Sequence, residues 1–122
     1  MVNKLDSVLE KLVALCQDKK ADRVTSYRLS DASWITDFIV LVTVKNTVHC
    51  KALIEDLSQH MVEFSALSAN DFYDRPRIAG NAASGWVILD MNSIVVHCVT
   101  ESVRDFYKLD TFFEKRGVAF HY

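Results

Sequence analysis

The chain has 122 residues, of which 50% are hydrophobic and 25% are charged, and its formal net charge is -2. This composition is typical of a globular protein, and the length predicts a single domain over residues 1–122. A slightly acidic chain lacks the basic field needed to bind nucleic-acid phosphates, so we expect little direct nucleic-acid contact. No stretch reaches the roughly 18 apolar residues of a membrane helix, so we expect no membrane partner.

The few special residues of the chain argue against a disulfide framework, a metal and a cofactor. The three cysteines, Cys16, Cys50 and Cys98, are odd in number and far apart, which favours a reducing, cytoplasmic location. Lys4 and Asp6 interrupt any apolar leader, which agrees with that location. The histidines show no metal-ligand spacing, and three glycines leave neither a P-loop nor a dinucleotide fingerprint.

Helical and strand patterns alternate along the first half of the chain. Amphipathic spacing predicts a helix over residues 3–19, and β-branched residues predict strands over Val24–Leu29 and Phe38–Val42. The second of these runs is apolar on both faces, which predicts a central strand. Asn46 can cap a second helix that extends to about Phe64.

The second half of the chain begins with its least regular segment. Residues 65–85 hold the only proline and two of the three glycines, and a short strand is predicted near Arg77–Ala79. After a hairpin, Thr100 can cap a final helical segment that Gly117 is expected to end. The predicted order is α-β-β-α-(β)-β-β-α. The helix between the strands permits a crossover, which predicts a mixed sheet of about five strands flanked by helices, in the α/β (α+β) class.

The hairpin over Gly85–Val99 is the stretch around which the rest is organised. Two runs of β-branched and apolar residues flank Asp90-Met91-Asn92-Ser93, which predicts a tight turn with Ile88 opposite His97. One face of this hairpin is then wholly apolar and carries Val87, Leu89, Val96 and Cys98. The other face carries Trp86, Ile88, Asp90, Val95, His97 and Val99. A dry core would not accept an unpaired acid and imidazole, so the second face is half-covered or reserved for a partner.

Several residues of this region are candidates for chemistry, and each has a structural alternative. Asp37 and Asp90 fall at strand ends, where a general base or metal ligand can be built, but they equally suit a loop and a turn. His97 and Cys98 point to opposite faces of one strand, so a hydrogen-bonded imidazole and a buried thiol are favoured over a catalytic dyad. Trp86 is either a core residue or an interface anchor.

Four blocks of the chain resemble the Iojap-like ribosomal silencing factors (the RsfS family) of bacteria and organelles. Residues 33–40 read SWITDFIV, similar to the family's SSITDYFV, and residues 85–90 read GWVILD, similar to xWxLLD. Residues 94–99 read IVVHCV, similar to VVVHVF, and residues 104–110 read RDFYKLD, similar to REFYNLE. The chain departs from the family at residues 43–48, which read TVKNTV where the family has TGTSxR.

The resemblance implies a fold similar to nucleotidyltransferases but without their catalysis, so we do not expect an enzyme or a cofactor. It implies binding to the large (50S) ribosomal subunit through the ribosomal protein numbered fourteen at the subunit interface. A protein docked there blocks joining of the small subunit and represses translation. The matching positions imply that Trp86 and Tyr107 contact the partner, with Asp90 and Arg104 close by. We expect the indole to project from the hairpin with the phenol close by, so that the two rings form a plug that fits another protein rather than a cavity that turns over a substrate.

Two other functions remain open at this point. One is a nucleotidyltransferase-like enzyme that uses Asp37 and Asp90. The other is a homodimerisation module that pairs two copies through Trp86, Ile88 and Val95 on one sheet face.

Overall fold

The structure, a computed structural model, describes residues 4–30, 36–67 and 71–122. The helices are α1 (Lys4–Asp18), α2 (Thr47–Gln59), α3 (Met61–Leu67), α4 (Glu101–Phe106) and α5 (Leu109–Glu114). The strands are β1 (Arg23–Leu29), β2 (Phe38–Val44), β3 (Phe72–Asn81), β4 (Trp86–Asn92), β5 (Ile94–Thr100) and β6 (Gly117–His121). The first three residues of the first sequence block of the family resemblance, residues 33–35, lie outside the described residues. None of the described helices is long and apolar enough to cross a membrane.

The strands form one mixed sheet of six strands in the order β3-β4-β5-β2-β1-β6. β2 and β5 run parallel, and every other neighbouring pair is antiparallel. The predicted α+β class with a helical crossover is therefore confirmed, with six strands instead of about five. β2 is buried along its whole length between β1 and β5, as its two apolar faces predicted.

The middle of the chain differs from the prediction in two places. The helix expected to reach Phe64 is broken at His60, whose backbone N–H bonds to carbonyls of the preceding turn, so that α2 and α3 are separate. The strand expected near Arg77–Ala79 is longer, because pairing with β4 continues on both sides of it and includes a register shift between Phe72 and Arg77. The predicted cap is confirmed, since Asn46 Oδ1 accepts the His49 N–H at 2.8 Å.

The C-terminal region also differs from the predicted single helical segment. α4 and α5 are separate because Lys108 adopts a left-handed conformation with φ 51°. Gly117 does not end a helix; it begins β6, a strand that the sequence pattern did not indicate. A Cβ atom at Gly117 would lie 2.3 Å from the Arg28 carbonyl oxygen, so the glycine allows β6 to approach β1.

The two faces of the sheet are covered differently. On the helical face, α1, α2 and α3 cover a large apolar core that includes all three cysteines as free, buried thiols. On the aromatic face, α4 and α5 cover a smaller cluster of Tyr27, Ile39, Leu41, Val99, Leu109 and Phe113. The predicted register of the β4–β5 hairpin is confirmed, with Ile88 opposite His97 and Leu89 opposite Val96. The predicted apolar side of the hairpin faces the large core.

Candidate functional site

The β4–β5 hairpin brings an indole and an imidazole together on the aromatic face. Trp86 Nε1–H donates a hydrogen bond to His97 Nδ1 at 3.1 Å. Because Nδ1 accepts this bond, the imidazole is neutral, and burial lowers the pKa of His97 to about 4. The predicted hydrogen-bonded imidazole is thus confirmed, and its partner is the indole. At neutral pH, His97 orients Trp86 without adding a charge to this face.

Aromatic side chains surround an open cavity of 390 Å³ beside this pair. The aromatic site, as we name it, is lined by Trp86, His97, Tyr107, Leu109, Phe112 and Phe113. The centroids of the Trp86 and Tyr107 rings are 5.1 Å apart, and Tyr107 is 55% exposed. The volume lies in the range of roughly 300–1,000 Å³ that is typical of binding pockets. The two rings lie side by side at the surface, where they form a wall of this recess, and their role as a plug that fits another protein stays a prediction.

The rim of the aromatic site is built by the break between α4 and α5. The left-handed Lys108 turns the chain directly after Tyr107, which occupies the C-cap of α4. Phe106 is exposed and packs edge-on against Tyr107, with ring centroids 4.9 Å apart. Phe112 also lines the recess, and the Arg116 guanidinium lies 3.8 Å from the centroid of its exposed ring and donates to the backbone carbonyl oxygen of Phe112. These contacts hold exposed rings in defined positions.

Arg104 lies on α4, the helix that ends at Tyr107, and is only 1% exposed. Its guanidinium donates to both Asp110 carboxylate oxygens, at 2.6 and 2.8 Å, and to the hydroxyls of Thr43 and Thr25, at 2.7 and 3.2 Å. A direct contact with a partner would need a guanidinium that these internal bonds already occupy. The structure thus replaces the expected contact by a positioning role, in which Arg104 ties α4 and α5 to β1 and β2.

Two further members of this network were not singled out from the sequence. Tyr27 donates its hydroxyl hydrogen to Asp110 Oδ1 at 2.8 Å. The Arg104 hydrogen bonds lower the pKa of Asp110 to about 2, while burial and the adjacent Asp110 carboxylate raise the pKa of Tyr27. Asp110 therefore stays ionised at neutral pH and balances the buried guanidinium, which a low-dielectric site requires.

Asp90 lies at the far end of β4 from Trp86, four residues along the strand. Its carboxylate accepts the backbone N–H of Asn92 at 2.9 Å, which supports the left-handed conformation of Asn92 at φ 91°. Asp90 pairs with Val95, which in turn pairs with Ile39 on β2, so Asp37 just before β2 is two strands away. Over the described ranges, no group of three or more His, Cys, Asp or Glu residues is arranged to hold a metal ion. The structure therefore gives Asp90 its turn role and does not bring the two aspartates into one site.

The sheet face invoked for homodimerisation is covered in part by this chain itself. Trp86 and Val95 are partly buried and pack against the smaller core cluster under α4 and α5. Pairing of two copies through Trp86, Ile88 and Val95 stays a prediction.

Comparisons with known proteins agree with the family resemblance. A family model described as "Ribosomal silencing factor during starvation" (RsfS) matches residues 2–119. Relatives named "Ribosomal silencing factor RsfS" include one from Halalkalibacterium halodurans, 23% identical over 103 residues, which is 84% of this chain and 82% of that protein. Another, from Zymomonas mobilis, is 23% identical over 105 residues, which is 86% of this chain and 74% of that protein.

Solved structures share the fold. A protein from Chromobacterium violaceum superposes with a TM-score of 0.69 at 20% identity, over 88% of this chain and 84% of that one. A protein from Bacillus halodurans gives a TM-score of 0.62 at 21% identity, over 87% of this chain and 92% of that one. Since the family match spans nearly the whole sequence, the chain belongs to the ribosomal silencing factor (RsfS) family.

Proposed function

We propose that this chain binds the large ribosomal subunit through its aromatic site and represses translation by blocking subunit joining. The observation that carries the proposal is the Trp86–Tyr107 ring pair, which lines an open apolar recess at the surface. Membership of a family of ribosomal silencing factors supplies the ribosomal context. In this proposal the protein acts as a steric block and performs no catalytic step.

The chemistry of the recess favours a protein partner. Tryptophan and tyrosine in well-packed pockets are the residue types that dominate binding energy at protein interfaces. Exposed Phe106, Tyr107 and Phe112 extend the apolar surface around the opening. Because His97 is neutral and its Nδ1 is already used by Trp86, the floor of the recess suits an apolar side chain of the partner.

We propose the large-subunit ribosomal protein numbered fourteen as that partner, following the family resemblance. Ribosomal proteins are basic, and exposed acids can complement basic groups across an interface. Glu101 and Asp105 are exposed on α4, the helix that carries Tyr107 at its end. Asp90 lies at the other end of β4, so it reaches the partner only if the interface extends along the hairpin. We propose a cytoplasmic location, where a bacterial ribosomal partner would be found.

Sedimentation of purified ribosomal subunits with the purified protein tests this proposal. We expect the wild-type protein to migrate with the large subunit and to reduce the fraction of joined ribosomes. Trp86→Ala should weaken binding by at least about 2 kcal/mol, because it removes one wall of the recess. The matched control is Val62→Ala on α3, at a side chain that is 78% exposed on the helical face.

Circular dichroism and thermal unfolding establish that both variants are folded before binding is compared. Binding of Trp86→Ala that equals the Val62→Ala control would contradict the role of the aromatic site. Binding to the large subunit without capture of the isolated ribosomal protein numbered fourteen would contradict the proposed partner.

A further inference from the structure

The two ring nitrogens of His97 have different roles at the aromatic site. Nδ1 accepts the indole N–H of Trp86 at 3.1 Å. An indole nitrogen can only donate, so Nδ1 carries no hydrogen and the neutral ring carries its hydrogen on Nε2. The imidazole therefore keeps one hydrogen-bond donor, Nε2–H, that the contact with Trp86 does not use.

This donor has no acceptor within the described residues. The neighbours of the ring on the aromatic face are hydrocarbon side chains: Ile88 on β4, Leu41 on β2 and Phe113 on α5, whose ring centroid lies 5.2 Å away. Over the same residues, the only buried side-chain nitrogen or oxygen atom without a partner is Asp56 Oδ2, so His97 Nε2 is not sealed in the interior. Since His97 lines the aromatic site, its Nε2–H is available to a molecule in the recess.

The other lining side chains do not change this requirement. Leu109, Phe112 and Phe113 are hydrocarbon, and the indole N–H is already used. The Tyr107 side chain is 55% exposed, so water can reach its hydroxyl. An occupant that expelled water from the recess without bringing an acceptor would leave Nε2–H unpaired, which is unfavourable. An apolar pocket with few placed polar groups selects its ligand through those groups.

We propose that His97 Nε2–H donates a hydrogen bond to a neutral oxygen of the ribosomal partner, a carbonyl or hydroxyl oxygen beside the apolar group that fills the recess. This inference rests on the proposed function and adds the residue that selects what enters the aromatic site. His97 then supports Trp86 through one nitrogen and determines specificity through the other.

The charges at the recess favour a neutral acceptor over an ionised group. A carboxylate at His97 would lose its water against a neutral ring and hydrocarbon side chains, without gaining a cation there. Aromatic faces can bind a cation, but the Arg116 guanidinium already lies over the Phe112 ring. A lysine or arginine of the partner would also meet a donor, and not an acceptor, at Nε2. A carbonyl or hydroxyl oxygen meets neither penalty.

Asparagine and glutamine at position 97 separate the two roles of the ring. The side-chain oxygen of His97→Asn lies near the position of Nδ1, so it can accept the indole N–H, but no atom reaches the position of Nε2. The longer side chain of His97→Gln can place its amide N–H near the position of Nε2, but the indole N–H then loses its acceptor. Both replacements are neutral amides, so each is the matched control of the other.

Co-sedimentation with purified large subunits over a range of protein concentrations gives the dissociation constant of each variant, and urea unfolding gives its stability. We expect the dissociation constant to rise at least about tenfold in His97→Asn and by less in His97→Gln, because only the first removes the donor. Stability should follow the opposite order, because only His97→Gln breaks the bond to Trp86. A histidine that acted only as a structural support would give the same order in both measurements.

A double-mutant cycle with Trp86→Phe shows whether His97 acts directly. In the Trp86→Phe background there is no indole N–H to orient, so a direct contact predicts that His97→Asn still weakens binding. No further loss in that background, or wild-type binding by His97→Asn alone, would overturn this inference and leave the proposed function standing. Absence of binding by the wild-type chain would instead overturn the proposed function and this inference with it.

Discussion

The two faces of one sheet follow different physical rules in this protein. The helical face is closed by α1, α2 and α3, and its core is a continuous apolar cluster. The aromatic face is held by a buried polar network around Arg104 and carries an open recess. Alternate residues of β4 and β5 belong to the two faces, so neighbours such as His97 and Cys98 have different surroundings. The strand period of two thus places the closed apolar core and the proposed binding recess on opposite faces of the same strands.

The difference has its origin in helix length. α1 and α2 have 15 and 13 residues, enough to cover much of a sheet face. α4 and α5 have six residues each, too short to be stable helices by themselves or to cover the other face. The network through Arg104 and Asp110 anchors these two turns to the sheet. The area that they leave uncovered is the aromatic site.

The largest expected loss of stability comes from breaking the Arg104 network on the aromatic face. We compare it with the loss caused by a cavity in the core of the helical face. Arg104→Met should destabilise the fold by about 3 kcal/mol, because Asp110 and two threonine hydroxyls lose the hydrogen bonds from the guanidinium. Leu89→Ala in the large core should destabilise it by a similar amount, within about 2–5 kcal/mol. Urea unfolding measures both, and binding to the large subunit is then compared per folded molecule.

Only Arg104→Met should lose binding as well, because its network positions the helices that carry the recess. Arg104→Lys keeps the charge but not the planar fork, so it should recover only part of the stability. Equal binding by Arg104→Met and Leu89→Ala would show that the network stabilises the fold without shaping the site.

A second prediction concerns the pH dependence of the free energy of unfolding, to which His97 on the aromatic face contributes. The pKa of His97 is about 4 in the folded chain and 6.5 ordinarily, so the unfolded chain binds an extra proton between these values. The free energy of unfolding should therefore fall as the pH falls from about 6.5 to about 4, by about 1.4 kcal/mol per unit of pKa difference at most. The pKa of Asp110 is lowered to about 2 in the folded chain. The stability contributed by its ionised form is therefore lost in a separate pH range, below about pH 4.

His97→Asn supplies the control, because an amide oxygen can accept the indole N–H without titrating. We expect urea unfolding of this variant to be nearly flat between pH 6.5 and pH 4, whereas the wild-type chain loses stability there. A wild-type slope that persists in His97→Asn would mean that another group carries the acid sensitivity.

The parts of the fold that were predictable are those that local pattern determines. β2 is apolar on both faces, which only a central strand explains, and it is buried throughout. The hairpin register follows from strict alternation around a turn at Asn92, a residue that accepts the left-handed conformation found there. Trp86 was singled out by its place in the hairpin, whereas Tyr107 came only from the family resemblance, and the two rings are adjacent in the structure.

The parts that were not predictable depend on contacts distant in sequence. Lys108 is left-handed without being glycine or asparagine, so no local signal marks the break between α4 and α5. Position 117 requires a glycine because the backbone approaches the Arg28 carbonyl there. From the sequence alone, this glycine was interpreted as the end of a helix. The hydrogen bonds of Arg104 to Thr43 and Thr25 span 61 and 79 residues, so its burial could not be inferred from a charged residue on a short helix.

The smallest expected effect comes from removing the Tyr107 hydroxyl, which shows whether binding depends on the shape of the recess or on its polar groups. Tyr107→Phe keeps the ring against Trp86 and the edge contact with Phe106, so stability should change by less than about 0.5 kcal/mol. Binding to the large subunit should weaken by no more than about 1 kcal/mol, the value of one neutral hydrogen bond. Tyr107→Ala removes the wall itself and should weaken binding further, as calorimetric titration of the two variants would show. If Tyr107→Phe lost as much affinity as Tyr107→Ala, the phenolic hydroxyl would be the recognition element, and the contrast between a polar support and an apolar recess would not hold.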